Sequence, residues 1–93
     1  MKVFVGKFLY VYDGDIDITV ATTKDRIERE LIKMAEQYVE VFDEEERMTM
    51  VGNPQTFDDW QQVGWDNEWF SLEWILCNVH SDGHILKYAM ETI

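Results

Sequence analysis

The sequence predicts a small α+β domain in which an antiparallel sheet packs against one long amphipathic helix. Three observations lead to this fold class: two strand-like segments joined by Asp13-Gly14, an apolar stripe at helical spacing over residues 23–43, and another strand-like segment over residues 69–80. The chain has 93 residues, and 46% of them are hydrophobic, which suffices for one packed core. We therefore expect a single domain over residues 1–93, with elements in the order ββα-α-ββ.

The first two strands are expected to form a tight hairpin. Residues 3–12 are rich in β-branched and aromatic side chains, and residues 15–21 alternate between apolar and polar. Asp13-Gly14 is typical of a two-residue type I′ turn, which would place Leu9 opposite Ile18. One face is then aliphatic (Val3, Val5, Leu9, Val11, Ile16, Ile18, Val20). The other pairs aromatic side chains with polar ones (Tyr12 with Asp15, Tyr10 with Asp17, Phe8 with Thr19).

The long helix is predicted to begin near Thr22 or Thr23, which are suitable N-caps, and Asp25 would complete a variant of the capping box. Apolar residues then recur at spacings of three and four, as they do along one face of a helix. These residues are Ile27, Leu31, Met34, Ala35, Tyr38, Val41 and Phe42. We expect this stripe to lie on the aliphatic face of the hairpin.

The second half of the chain is predicted to add a short helix and a second hairpin. A turn at residues 52–54 precedes Thr56, a second N-cap, and a helix from there through about Val63 would end at Gly64. Residues 69–80 form a strand pattern with Phe70, Leu72, Trp74 and Leu76 on one face. The turn signal Ser81-Asp82-Gly83 then predicts a return strand from His84 to Met90.

The charge balance excludes several classes of function. Nineteen acidic residues against eight basic ones give a net charge of −11 and a pI near 4.3. A protein that binds nucleic acid directly needs Lys and Arg to neutralise phosphates, and an anionic membrane surface repels such a chain. We expect neither a membrane span nor a secretory signal peptide. A single cysteine, Cys77, is typical of the reducing cytoplasm.

The acidic excess begins in the predicted long helix. The first 24 residues are neutral, whereas residues 25–47 carry a net −5 and residues 48–93 a net −6. If the helix continues, Glu36, Glu40 and Glu44 lie on one face at i, i+4 spacing, where like charges repel, and close to a helix C-terminus, which disfavours anions. Both effects disfavour negative charge at these positions, and such local conflicts favour a functional surface. The alternative interpretation is an ordinary solvated face.

A second acidic segment is also aromatic, since all four tryptophans lie between residues 60 and 74. We expect Trp60, Trp69 and Trp74 to belong to the core and Trp65 to be exposed. Exposed aromatic rings beside carboxylates suit a partner rich in Arg and Lys. The candidate partner-binding residues are therefore Glu36, Glu40, Asp43, Glu44, Glu45, Glu46, Asp58, Asp59, Trp65, Asp66 and Glu68.

No catalytic signature is present, and we expect neither an enzyme nor a cofactor. Cys77, His80 and His84 could hold a metal ion or act as a nucleophile pair, but no further ligand pair or orienting group supports either chemistry. Asp13, Asp15 and Asp17 do not satisfy the spacing of a calcium loop. Phosphate-binding and nucleophile-elbow motifs are absent from the sequence.

At the level of class, the chain resembles the small acidic proteins that bacteriophages and mobile elements encode against host defences. This class includes anti-CRISPR proteins, uracil-DNA glycosylase inhibitors and anti-restriction DNA mimics. The resemblance rests on residues 36–46, Asp58-Asp59, Asp66, Glu68 and the ββα opening, and it assigns no role to any single residue. It implies a host-cell cytoplasmic location for a phage-encoded protein.

Three functions follow as hypotheses. The leading one is a non-enzymatic inhibitor or adaptor whose acidic surface occupies a basic, nucleic-acid-binding site on a partner protein. The second is a structural or homodimeric protein, in which the aromatic hairpin face (Phe4, Phe8, Tyr10, Tyr12) or the tryptophan cluster forms an interface and the acids serve solubility. The third is a small metal-binding enzyme that uses Cys77, His80 and His84.

Overall fold

Three strands form one antiparallel sheet with β1 at its centre. The computed structural model describes residues 2–78, in which β1 spans Lys2–Tyr10, β2 Ile16–Ala21 and β3 Phe70–Asn78. The strand order is β2-β1-β3, and both neighbouring pairs are antiparallel. The α+β class and the antiparallel sheet are thus confirmed. The predicted turn at 81–83 and the return strand at 84–90 lie outside the described residues.

Three helices accompany the sheet: α1 (Lys24–Val39), α2 (Glu44–Met50) and α3 (Phe57–Asn67). The prediction of one helix through residue 43 is wrong, because the chain leaves the helical path after α1 and starts again. The Asp43 side chain accepts a hydrogen bond from the Glu46 backbone N–H at 2.8 Å and so begins α2. Between residues 2 and 78, no helix is both long and apolar enough to cross a membrane.

The first hairpin is longer in its loop than predicted. Leu9 lies opposite Ile16 rather than Ile18, which shifts the register by two residues. The loop is closed by hydrogen bonds from the Tyr10 N–H to the Asp15 carbonyl (2.9 Å) and from the Gly14 N–H to the Tyr10 carbonyl (2.8 Å). A type I′ turn needs positive φ at both central residues. Gly14 has φ +72°, but φ of Asp13 is not positive, because Glu68 is the single non-glycine residue with positive φ in the described chain. The predicted type I′ turn at Asp13-Gly14 is therefore wrong.

Helix α1 covers the aromatic face of the sheet, not the aliphatic face that we predicted. Phe8, Phe70 and Leu72 are fully buried against Ile27 and Leu31. Aromatic side chains bury roughly 150–250 Å² each, so this face offers more apolar area to the helix. The same packing buries Phe8 fully and Phe4 and Tyr10 in part, so Tyr12 is the one exposed residue of the aromatic hairpin face.

The aliphatic face carries a smaller cluster. Val3, Val5 and Cys77 are buried there, with Ile18 and Ile75 packed beside them. Burial raises the pKa of the Cys77 thiol above its usual value, which disfavours the reactive thiolate.

Helix α3 continues through Gly64, which we predicted to end it. Gly64 is buried, and the left-handed residue Glu68 ends the helix four residues later. The Trp69 N–H donates to the Gly64 carbonyl at 3.0 Å, so the chain turns directly from α3 into β3. This tight connection places the exposed side of α3 next to the outer edge of β3.

Candidate partner-binding surface

Every carboxylate between residues 36 and 78 is exposed, and Arg47 is the single basic residue of that range. The eleven acidic residues are Glu36, Glu40, Asp43, Glu44, Glu45, Glu46, Asp58, Asp59, Asp66, Glu68 and Glu73. They come from the end of α1, from α2 and α3, and from β3. The position of each decides whether it has a local structural role or remains free for a partner.

Residues 43–46 have a local role at the start of α2. Asp43 is the N-cap, and the three glutamates occupy the first turn, where the helix dipole favours anions. The hydrogen bond from the Glu46 N–H holds the pKa of Asp43 below its usual value. Because α1 ends at Val39, Glu44 does not continue the row of Glu36 and Glu40, and that prediction is wrong.

Asp58 and Asp59 begin α3. Thr56 and Asp59 form a capping box: the Asp59 N–H donates to the Thr56 hydroxyl, and the Asp59 carboxylate accepts from the Thr56 N–H, each at 3.1 Å. The same carboxylate accepts from the Gln55 N–H at 2.8 Å, and these bonds lower the pKa of Asp59. Asp59 is therefore structural, whereas its exposed neighbour Asp58 takes no part in the box.

Glu36 and Glu40 remain unfavourable for the helix that carries them. No basic residue occupies the last turn of α1, and Glu40 is its C-cap. Both line a cleft of about 330 Å³ that also contains Arg47 and Trp60. The dipole of α1 disfavours negative charge at these two positions. Their charge is therefore consistent with a role in binding rather than in stability.

The next cleft, of about 340 Å³, lies where α2 meets α3 and is lined by Asp59, Asp66 and Met50. The Asn67 side-chain amide donates to the Met50 carbonyl at 3.0 Å and to the Val63 carbonyl at 2.9 Å, and so ties the two helices together. This cleft shares residues 51, 53 and 54 with the Glu36–Glu40 cleft, so the two are continuous.

A third cleft, of about 270 Å³, separates α3 from β3. Its lining is Asp58, Gln61, Gln62, Trp65, Ser71, Leu72 and Glu73. The Gln61 side-chain amide donates to the Leu72 carbonyl at 2.9 Å and so joins α3 to β3. Trp65 is 72% exposed, as predicted, whereas Trp60 and Trp69 are buried and Trp74 is half-buried. We call this cavity the α3–β3 cleft.

The fourth cleft, of about 500 Å³, adjoins the α3–β3 cleft and shares Asp58, Gln61 and Glu73 with it. Glu28 accepts a hydrogen bond from the Trp74 indole N–H at 3.0 Å here. The Lys24 ammonium lies 5.7 Å from the centre of the Trp74 ring, within the range of a cation–π contact. Two side chains of α1 thus contact Trp74.

The α2–α3 cleft also shares Gln62 with the α3–β3 cleft, so the four clefts form a row of neighbours that we call the acidic belt. Its carboxylates are Glu28, Glu36, Glu40, Asp58, Asp59, Asp66 and Glu73. Lys24 and Arg47 are the two basic residues that line it, one in each terminal cleft. The belt is therefore lined by seven negative charges and two positive ones.

The belt contains part of the predicted set. Glu36, Glu40, Asp58, Asp59, Trp65 and Asp66 line it, whereas Asp43, Glu44, Glu45, Glu46 and Glu68 line none of its four clefts. Two belt residues, Glu28 and Glu73, are not among the predicted partner-binding residues, although Glu73 belongs to the acidic aromatic segment. Glu73 alternates with Leu72 and Trp74 in a strand, a pattern that signals exposure, but only tertiary packing brings Glu28 to Trp74.

Comparison of the chain with protein-family models, with curated proteins and with solved structures gave no match. Within residues 2–78, no group of three or more His, Cys, Asp or Glu side chains is placed to hold a metal ion. Of the predicted metal and nucleophile residues, Cys77 lies in β3, and His80 and His84 lie outside the described residues.

Proposed function

We propose that this protein is a non-enzymatic inhibitor or adaptor whose acidic belt occupies a basic, nucleic-acid-binding site on a partner protein. The observation that carries the proposal is the continuity of the belt, in which seven carboxylates and two bases line four adjoining clefts. The class-level resemblance to phage anti-defence proteins and DNA mimics points to the same kind of partner.

Electrostatics favours this function over a purely solubilising role. A small domain needs a net charge of magnitude only ~2–8 to stay in solution, and self-repulsion at higher charge opposes folding. This chain carries −11. Duplex DNA presents about one negative charge per 1.7 Å of its axis, and a groove built for that density attracts a row of carboxylates. Such attraction accelerates association and is weakened by salt.

A gel-shift competition tests the proposal. The protein is titrated into complexes of DNA with candidate host nucleases and other basic nucleic-acid-binding proteins. We expect it to release DNA from its partner at low salt, and less so as salt rises. Two results together would favour the structural alternative. The protein would displace nucleic acid from none of the proteins tested, and light scattering would show a homodimer that is insensitive to salt.

A matched pair of variants assigns the effect to the belt. Glu36→Gln, Glu40→Gln and Asp66→Asn together remove three belt charges. Glu44→Gln, Glu45→Gln and Glu46→Gln together remove three exposed charges from α2, outside the four clefts. Because the net charge is the same in both triple variants, an effect of overall charge alone would reduce competition with DNA equally in both. We expect the belt variant alone to lose most of the competition.

A further inference from the structure

The α3–β3 cleft combines a helix face with a strand edge. Asp58, Gln61, Gln62 and Trp65 stand at positions i, i+3, i+4 and i+7 of α3, and therefore on one face of that helix. Ser71, Leu72 and Glu73 of β3 form the opposite wall. The Gln61–Leu72 hydrogen bond joins the two walls.

The lining of the cleft favours a cation over an anion. Both charged residues that line it, Asp58 and Glu73, are negative and exposed. Gln62 donates its amide to Asp66 at 2.7 Å and so turns its donor group to a neighbour on α3. Trp65 adds a ring that is 72% exposed, and the face of an indole attracts cations.

The size of the cleft limits what it can hold. At about 270 Å³ it lies below the roughly 300–1,000 Å³ of pockets that enclose small-molecule ligands. It is open to solvent at Trp65 and continuous with the rest of the acidic belt. A single side chain that projects from a protein bound along the belt fits these dimensions better than a free metabolite or cofactor does.

We propose that the α3–β3 cleft receives an arginine side chain of the partner, with the guanidinium between Asp58 and Glu73 and against the Trp65 ring. This inference rests on the proposed function, because it names the partner group that anchors there. Arginine suits the cleft better than lysine, since a planar guanidinium can stack on an aromatic ring and donate to two carboxylates at once. A compact ammonium ion makes fewer of these contacts.

An NMR titration of the full chain with N-acetyl-arginine amide tests the inference directly. We expect the Trp65 indole resonance, assigned with Trp65→Phe, to shift together with the amide resonances of Ser71, Leu72 and Glu73. N-acetyl-citrulline amide, which has nearly the same shape without the charge, should leave them in place, and the lysine analogue should bind more weakly. Equal shifts with citrulline, or shifts spread over all exposed acids, would overturn the inference.

Variants of the lining residues give the second readout. Asp58→Asn or Glu73→Gln should weaken binding of the arginine probe, each by up to about fivefold, as expected for exposed charge pairs. Trp65→Ala should weaken it by about two- to fivefold, and Trp65→Phe by less. Glu45→Gln is the matched control, since Glu45 is also exposed but lies outside the cleft. An unchanged affinity in Asp58→Asn and Glu73→Gln would contradict the assignment.

The inference and the proposed function can fail separately. If Asp58→Asn with Glu73→Gln abolishes arginine binding but leaves competition with DNA intact, the anchor is wrong and the belt function stands. If the arginine probe binds at the cleft but the protein displaces DNA from no basic partner, the cleft assignment stands and the proposed function fails.

Discussion

Gly64 lies directly against Phe70, and this contact sets the distance between α3 and β3. A Cβ atom at position 64 would collide with the Phe70 backbone carbonyl and lie 2.6 Å from Cδ1 of its ring. The carbonyl belongs to the first residue of β3 and cannot move without shifting the strand. The close approach also brings the Asp58–Trp65 face of α3 beside Glu73.

Gly64→Ala should therefore destabilise the protein despite the higher helix propensity of alanine. We expect a loss of about 1–3 kcal/mol in the free energy of unfolding, as is typical of overpacking. Urea denaturation followed by circular dichroism measures it. Gln62→Ala, at an exposed position of the same helix, should change stability by less than about 0.5 kcal/mol. A Gly64→Ala variant as stable as the wild type would refute the tight contact.

The capping box predicts a pH-dependent contribution from Asp59. Its folded-state pKa lies below the usual value because it accepts hydrogen bonds from the backbone of Gln55 and Thr56. The carboxylate therefore stabilises the fold above the unfolded-state pKa, and this contribution disappears as the pH falls through the lower folded-state pKa. Asp59→Asn should be less stable than the wild type at neutral pH, with a difference that shrinks in acid.

Denaturation midpoints at a series of acidic pH values check the Asp59 prediction. Asp58→Asn is the control, because it removes a neighbouring charge and leaves both Asp59 hydrogen bonds in place. A stability difference for Asp59→Asn that is constant with pH would show that the carboxylate is not held in its charged form.

Tyr10 should titrate at unusually high pH. Burial is the largest cause, followed by the hydrogen bond that its hydroxyl donates to the Asp17 carboxylate at 2.7 Å, and together they raise its pKa to about 12. Because the folded-state pKa exceeds the unfolded-state pKa, the contribution of Tyr10 to the free energy of unfolding is fully present below about pH 10. It is lost as the pH rises toward 12. Ultraviolet titration of the wild type against Tyr10→Phe isolates this tyrosine.

Asp17→Asn should lower the pKa of Tyr10 but leave it above that of a free tyrosine, since desolvation remains. Asp13→Asn is a suitable control, because Asp13 is an exposed acid of the same hairpin but is not a cause of the Tyr10 shift. An unchanged Tyr10 pKa in Asp17→Asn would mean that the hydrogen bond does not persist in solution.

Glu40 predicts a conflict between stability and binding. It is the C-cap of α1, whose last turn has no basic residue, so the helix dipole disfavours its charge. Glu40→Lys should raise the free energy of unfolding by about 0.3–1 kcal/mol and at the same time weaken association with a basic partner. Thermal denaturation and competition binding measure the two effects. A variant that is less stable would contradict the dipole account.

Local patterns in the sequence predicted the fold class, the N-cap at Thr56 and the exposure of Trp65, because each depends on a few neighbouring residues. For α1 they left Thr22 and Thr23 open as N-caps. Thr23 is the N-cap and accepts a hydrogen bond from the Arg26 N–H, so the predicted capping box of Thr22 with Asp25 is wrong. Three features depended on tertiary contacts instead. Alternation showed that the hairpin has two different faces, but it did not show which of them α1 covers. Helix α1 packs on the aromatic face, where Gly6 lets Ile27 and Leu31 approach the sheet closely. The sequence pattern predicts a helix stop at Gly64 because the contact of this glycine with Phe70 is invisible in the sequence.

The acidic surface was predicted in part for the same reason. Within one long helix the run Asp43–Glu46 would break helix rules, but as the N-cap and first turn of α2 it obeys them. Glu28 and Glu73 lie in the belt because α1 and α3 both pack against β3, an arrangement that the sequence does not show. Sequence charge therefore predicted that a negative surface exists, and the structure located it.

The most direct measurement is the dissociation constant of the protein for a DNA-binding partner from which it displaces DNA, determined for the two triple variants at several salt concentrations. We predict that Glu36→Gln/Glu40→Gln/Asp66→Asn weakens binding by about tenfold or more and flattens its salt dependence, while Glu44→Gln/Glu45→Gln/Glu46→Gln stays close to the wild type. Equal affinities for the two variants would contradict a role for the acidic belt.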